Sequence, residues 1–328
     1  MGFVNSQSSS EQPGQGSGVT DLVTTELGTA WLDRGFLWLV QALALVTVVL
    51  LFWMGWVIFE KAYPAIKQFG LGFLVGQQWD VNGLQFGALP YIYGTLVTSM
   101  LALVLALPVG LAVAIVSSET LLPEWVRSPV AFVVELIAAI PSVIVGLWGI
   151  FVLIPFLQPV QLWLFNHFKQ IPLFSTEPFG PGLLVAGVIL AIMVLPTIAA
   201  ISREVLLAVP PELRSASMSL GATRWETIFG VILPASIPGI LGAAMLALGR
   251  ALGETMAVTM VIGNSAQISA SLLNLGYTIP AVLANEFAEA LDDLHIGALM
   301  YLALILFALT LAVNVVATLM VRVLGYGK

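Results

Sequence analysis

Residues 204–235 read EVLLAVPPELRSASMSLGATRWETIFGVILPA, and they interrupt a strongly apolar chain with about thirty polar and mixed residues before the next apolar segment begins. A membrane bundle has little physical reason to carry so organised an insert unless something docks on it, so the stretch, about 203–233, reads as a coupling element. Pro210 and Pro211 suit a helix start, and Gly221 suits the left-handed residue that follows a helix end. Thr223 with Glu226 has capping-box spacing for a second short helix. The expectation is a pair of helices bent at Gly221. Ser215, Ala216 and Ser217 are small enough for close backbone approach, while Leu213, Met218, Leu220 and Trp225 supply apolar contact surface.

The chain around the insert has the composition of a bilayer protein. Hydrophobic residues make up 59% and charged residues 9%, with a mean hydropathy of +1.02, far from soluble averages. Apolar runs predict six spanning helices near 35–59, 92–116, 129–154, 181–201, 235–262 and 296–321, with Trp38, Trp53 and Trp56 suited to the interfaces of the first. Residues 1–33, rich at the start in Ser, Gln and Gly, lack the basic segment of a cleavable signal peptide and read as a disordered cytoplasmic tail. The rest, 34–328, reads as one transmembrane domain. No repeat of one half in the other and no matched pair of broken helices stands out, so the pattern is that of a compact all-α bundle.

Basic residues in the short loops set the orientation. With the tail inside, Arg34, Arg127, Arg203, Arg214, Arg224, Arg322 and Lys328 are cytoplasmic, and Lys61, Lys67 and Lys169 lie outside. Both termini are then cytoplasmic. The external segments near 60–91, 155–180 and 263–295 are long enough to form a surface. In the last of these, Thr278 and Pro280 mark a helix start followed by an amphipathic run through Glu286 and Glu289. His295 beside Asp292 and Asp293 reads as a solvated loop end.

Several function classes are excluded. A net charge of −7 argues against nucleic-acid binding through counterion release. With no cysteine, and only His167 and His295 as imidazoles, the chain lacks a zinc constellation. The lysines, at 61, 67, 169 and 328, sit in no phosphate-cradling GxxxxGK[ST] loop. Ser142 follows Pro141 without a matching base, and HExxH and GxSxG patterns are missing. The chain is therefore read as a non-enzyme with no cofactor, and any ATP hydrolysis must come from other subunits.

Arg250 and Glu254 are the most unusual charges, because both fall within the apolar run 235–262. Each costs roughly 2.5–3.5 kcal/mol at the centre of a lipid-facing helix, so both are expected to face protein or water. In a continuous helix they share one face. Glu135, in the run 129–154, is a third charge within reach of such a site. Two readings stand: a buried ion pair that fixes helix packing, and a place in a translocation path. Pro108, Gly110, Pro141, Gly146, Pro155 and Pro196 punctuate the spans, as movable kinks or as packing irregularities.

The residues then carry a family resemblance. Membrane subunits of type I ATP-driven (ABC) importers have a cytoplasmic motif that reads E-A-A, three residues, G, nine residues, I, one residue, L-P. Here Ser215, Ala216, Ser217, Gly221, Val231, Leu233 and Pro234 fall in that register, with Ser215 in place of the acidic residue. ELIAAIPSVIVGLWGIFVL at 135–153, LGATRWETI at 220–228, GRALGETMAVTMVIGN at 249–264, GYTIPAVLANEF at 276–287 and GTL at 94–96 resemble the C-type permease subunit of the phosphate-specific (Pst) importer. The likeness runs from about residue 70 onward. It implies a type I importer permease bundle with a coupling-helix insert, in a bacterial inner membrane. It also implies partners: a second related permease, two cytoplasmic ATP-binding subunits and an external phosphate-binding protein. Arg250, Glu254 and Glu135 would then line or gate the path. A proton-coupled symporter using those three as a relay is the alternative from another class, and sulfate or molybdate is the alternative cargo.

Overall fold

The structure is a computed structural model that describes residues 20–119 and 123–325, with side chains from residue 34 to residue 323. It divides at Trp56 into two units. The first is helical. Helix α1, Thr20–Phe69, begins in the stretch read as a tail, and residues 1–19 of that stretch lie outside the described residues. From residue 34 to residue 54 every side chain is exposed, nearly all of them apolar. A helix satisfies its own backbone, so lipid is a fitting solvent for this one.

The second unit, from Val57, holds the remaining elements. After α2 (Gly72–Val75) come two short antiparallel strands, β1 (Trp79–Asp80) and β2 (Gln85–Phe86), paired Trp79 to Phe86. Then follow α3 (Leu89–Ser118), α4 (Glu124–Ala138), α5 (Ser142–Trp148), α6 (Ile154–Phe168) and α7 (Leu183–Leu207). The insert supplies α8 (Pro211–Ser219) and α9 (Arg224–Thr227). The chain closes with α10 (Leu233–Gly253), α11 (Met256–Val261), α12 (Ile279–Glu286) and α13 (Asp293–Gly325). Among the described residues six helical stretches are long and apolar enough to cross a membrane.

Two of the expected spans are redrawn. The run 129–154 is not one helix, because it stops at Ala138 and restarts at Ser142. Pro141 has no N–H and disfavours helical backbone at Ile140. Ala139 and Ile140 instead close tight turns onto Leu136 O and Ile137 O, at 3.1 and 3.2 Å. The third span is therefore the stretch Ser142–Phe168. The run 235–262 also breaks, because Glu254 is extended (ψ 126°) between α10 and α11. Broken helices, unseen in the sequence pattern, are thus a feature of this fold.

Two π-helical turns, Gly149–Leu153 and Ile228–Ile232, have a common cause. Each precedes a proline, Pro155 or Pro234, whose ring would crowd the carbonyl four residues earlier in a regular helix. Widening the turn relieves this, and Ile154 N and Leu233 N donate five residues back, to Gly149 O and Ile228 O.

Packing gathers into three apolar clusters. The central one joins α3, α7, α10, α5 and α11 through Ala102, Ala106, Ile189, Val194, Ala247 and Val258. The pair α3 and α7 is its most extensive contact. A smaller cluster, Ala114, Ile115, Leu206, Val209, Ile228 and Ile232, lies under the insert. The third gathers Ala62, Phe73, Phe86, Tyr91, Tyr277, Ile279 and Leu299. There a Cβ on Gly94 would stand 2.1 Å from Tyr277 O, so only glycine admits this approach. Thr278 caps α12 by accepting from Ala281 N at 3.3 Å, as the sequence predicts.

His295 corrects its sequence reading. It is 4% exposed, with Nε2 3.2 Å from Glu286 Oε2 and its ring stacked on Phe86 at 5.3 Å. Trp79 Nε1 donates to the same oxygen at 2.8 Å. Asp292 caps α13 through Leu294 N at 2.8 Å, and the first helical turn carries His295 inward rather than into solvent.

Candidate functional site

The charged residues singled out in the apolar spans are placed by the two breaks. Arg250 stands in the last turn of α10, where Nη1 donates to Thr197 Oγ1 on α7 at 3.2 Å. Its side chain borders a cavity of about 380 Å³ walled by Ile137, Ile140, Ile144, Trp148, Ile192 and Met193. One guanidinium in otherwise apolar walls is the arrangement of a selective pocket. Pro196, inside α7, has no N–H to offer the carbonyl of Ile192, one of the wall residues.

Glu254 is not on the helical face of Arg250. It occupies the extended break itself, half-buried, with Oε1 3.5 Å from Ala257 N at the start of α11. Glu135 projects from α4 into a different cavity, of about 40 Å³, bordered by Ser117 of α3 and by Ala200 and Arg203 of α7. Among the described residues the ion pairs are Arg203 with Glu204, Arg214 with Glu119, and His295 with Glu286. Arg250, Glu254 and Glu135 are not paired with one another among these.

The insert is built as its sequence grammar dictates. Gly221 has φ +92°. Its N–H donates to Met218 O at 3.0 Å and that of Ala222 to Ser217 O at 3.2 Å, the two bonds of a Schellman turn. Thr223 and Glu226 form the complete capping box. Ser217 Oγ lies 3.0 Å from Thr227 Oγ1 and ties α8 to α9, while Ser215 returns its hydroxyl to Pro211 O. Ala216 is exposed on α8; Val231 is half-buried in the second π turn, and Leu233 and Pro234 open α10.

The outer face of the insert is apolar: Leu220 is 90% exposed, and Trp225 stacks on Phe229 at 5.9 Å with both rings exposed. Its base is held by Arg214, which pairs with Glu119 at the end of α3 and donates from Nη2 to Leu206 O of α7 at 2.7 Å. Sequence reasoning missed this clamp. Arg214 and Glu119 are 95 positions apart, and neither residue has a local signal that names the other. Thr197 was missed for the same reason.

Over residues 106–325 the chain matches the family described as binding-protein-dependent transport system inner membrane component. The phosphate transport system permease protein PstC of Mesorhizobium japonicum is 45% identical over 282 residues, 84% of this chain and 86% of the relative. PstC of Haemophilus influenzae is 44% identical over 265 residues, 79% of this chain and 84% of the relative. A chain of the bacterial alginate ABC transporter, solved with its alginate pentasaccharide-bound periplasmic protein, has TM-score 0.54 at 18% identity, covering 91% of this chain and 96% of that one. That likeness is one of fold.

Proposed function

The chain belongs to the family of binding-protein-dependent transport system inner membrane components, and from that premise we propose that its Arg250 cavity and its insert are the two working ends of a phosphate permease. It is the transmembrane subunit of an ATP-driven phosphate importer, a multi-pass membrane protein whose family works with ATPase and substrate-binding partners. In our reading it forms half of a path completed by a second, related permease. Two cytoplasmic ATPase subunits dock on the inserts, and a phosphate-binding protein delivers from outside. The insert and both termini are cytoplasmic, as the distribution of arginines and lysines supports.

The observation that carries this reading is the insert itself. A capped, left-handed-ended helix pair exposes Leu220 and Trp225 while Arg214 fastens its base to α3 and α7. Such a piece transmits force, because whatever seats on its outer face pulls on the ends of two core helices. Closure of the ATPases on ATP draws the two inserts together and switches the path from inward-facing to outward-facing.

At the other working end, Arg250 has donors to spare. Its planar guanidinium matches phosphate oxygens, and Glu254, in the adjoining break and not paired with Arg250 here, is the acid that could supply a countercharge in another conformation of the path. A contact through one arginine is weak, and a permease must release its cargo. The walls themselves do not tell one tetrahedral oxyanion from another, and phosphate is supported by the curated relatives.

The test is labelled phosphate uptake into proteoliposomes holding the complete transporter, with binding protein outside, ATP on the insert side and excess sulfate as competitor. Uptake that requires ATP and ignores sulfate is expected. Sulfate competition would move the cargo to another oxyanion, and uptake driven by a pH gradient without ATP would replace the reading with a symporter.

A further inference from the structure

The cavity between α3, α4 and α7 holds polar atoms that the fold leaves without partners. Ser117, 8% exposed, borders it, and neither its Oγ nor the buried Nε of Arg203 meets a hydrogen-bond partner. Orphaned buried donors are costly, so each of these atoms has something to gain from a partner supplied in another state. Arg203 has one acid in contact, its neighbour Glu204, at 3.6 Å, and both side chains are substantially exposed, which makes a weak pair. The carboxylate that borders the cavity is Glu135, which is exposed and has no ion pair among the described residues.

Glu135 sits on a lightly packed element. Helix α4 buries none of its residues, ends at the tight turn before Pro141, and has α7 and α3 as its main neighbours. A helix without a buried face can pivot at small cost in packing. Its far end supplies Ile137, and the turn beyond supplies Ile140, to the wall of the Arg250 cavity. On the other side, Arg203 precedes by one helical turn the end of α7, whose Leu206 carbonyl is gripped by Arg214 of the insert.

We propose that Arg203 and Glu135 are positioning residues that form a switched ion pair, closing α4 onto α7 when the insert is pulled and so moving the Ile137–Ile140 wall of the Arg250 cavity. The proposal rests on the insert being the ATP-driven coupling element. The route is contiguous: insert, Arg214, the end of α7, Arg203, Glu135, α4, cavity wall. In the structure the latch is open, with Glu135 and Arg203 across a space of about 40 Å³, room for water rather than cargo. Closing it gives the Arg203 guanidinium a carboxylate and Ser117 an acceptor together. The closed latch belongs to the ATP-bound state, in which the path is shut at the insert end.

Because the chain has no cysteine, A131C/A200C places the only thiols of this subunit on the α4 and α7 sides of the gap and leaves Glu135 and Arg203 in place. The complete transporter carrying it is treated with a short bifunctional maleimide, nucleotide-free and after trapping with ATP and vanadate. Cross-linking is read by mass spectrometry as the bridged peptide pair, distinct from the two singly capped peptides. About tenfold faster cross-linking in the trapped state is expected. In parallel, E135Q should lower phosphate uptake about tenfold while ATP hydrolysis persists, and the reversed pair E135R/R203E should recover uptake that either single reversal loses. Equal cross-linking in the two states, or a reversed pair no better than its singles, overturns the latch. Nucleotide-dependent cross-linking, when the transporter without substitutions takes up no phosphate, supports the latch and overturns the assignment of cargo instead.

Discussion

Arg250 has one hydrogen bond, to a neutral hydroxyl, and its remaining donors have no partner among the described residues. In the proposed path, a guanidinium in that condition beside an apolar cavity has donors left for an anion. Removing its charge should therefore hurt transport more than folding. R250Q is expected to lower phosphate uptake about ten- to a hundredfold, the loss of one charge-assisted contact of roughly 1.5–3 kcal/mol. Complex yield should stay unchanged, since only the bond to Thr197 is given up. Uptake rates and co-purification of the partner subunits measure the two halves separately. Unaltered uptake would remove Arg250 from the path, and lost assembly would make it a packing residue.

The insert shows how far an element can be legible in advance. Prolines at one end, a glycine at the turn and a Thr–Glu box at the next start are interactions among residues a few positions apart, and α8, the Gly221 turn and α9 follow them. The structure adds a distinction that bears on its role. A Cβ on Gly221 would meet no atom of this chain within 4 Å, so a substitution there meets only the backbone cost of a left-handed residue, roughly 1–2 kcal/mol. G221A and G221D should therefore lower the melting temperature of the subunit by similar amounts. If a partner seats on the turn, G221D alone adds a desolvated charge to that contact, and the ratio of ATP hydrolysed to phosphate moved should rise much further in G221D than in G221A. Equal ratios would reduce Gly221 to a turn residue with no docking role.

Over the whole molecule, alternating spans put the insert on one side of the membrane and the loop before α7 on the other. Phe179 in that loop is 83% exposed, and Leu220 in the insert is 90% exposed. In the cysteine-free background, F179C should react with a membrane-impermeant maleimide applied to intact cells. L220C should react only in inverted vesicles. The opposite labelling would turn the chain over and place the insert outside, away from any ATPase.

What the amino-acid sequence determined by itself was the number of spans and the grammar of the insert. Both arise from short-range demands: a bilayer requires each crossing segment to satisfy its own backbone over a long apolar run, and caps and turns are contacts within one helical turn. Only the tertiary structure decided where the charges meet. Spacing puts Arg250 and Glu254 on one helical face, but the chain breaks between them; apolar character joins 129–154, but Pro141 divides it and sends Glu135 toward Arg203. Thr197 is 53 positions from Arg250, Glu119 is 95 from Arg214, and Trp79 is 207 from the Glu286 oxygen it shares with His295. Such pairings are products of helix packing, and they form only after apolar surfaces, which constrain shape but carry no charge label, have brought distant segments side by side.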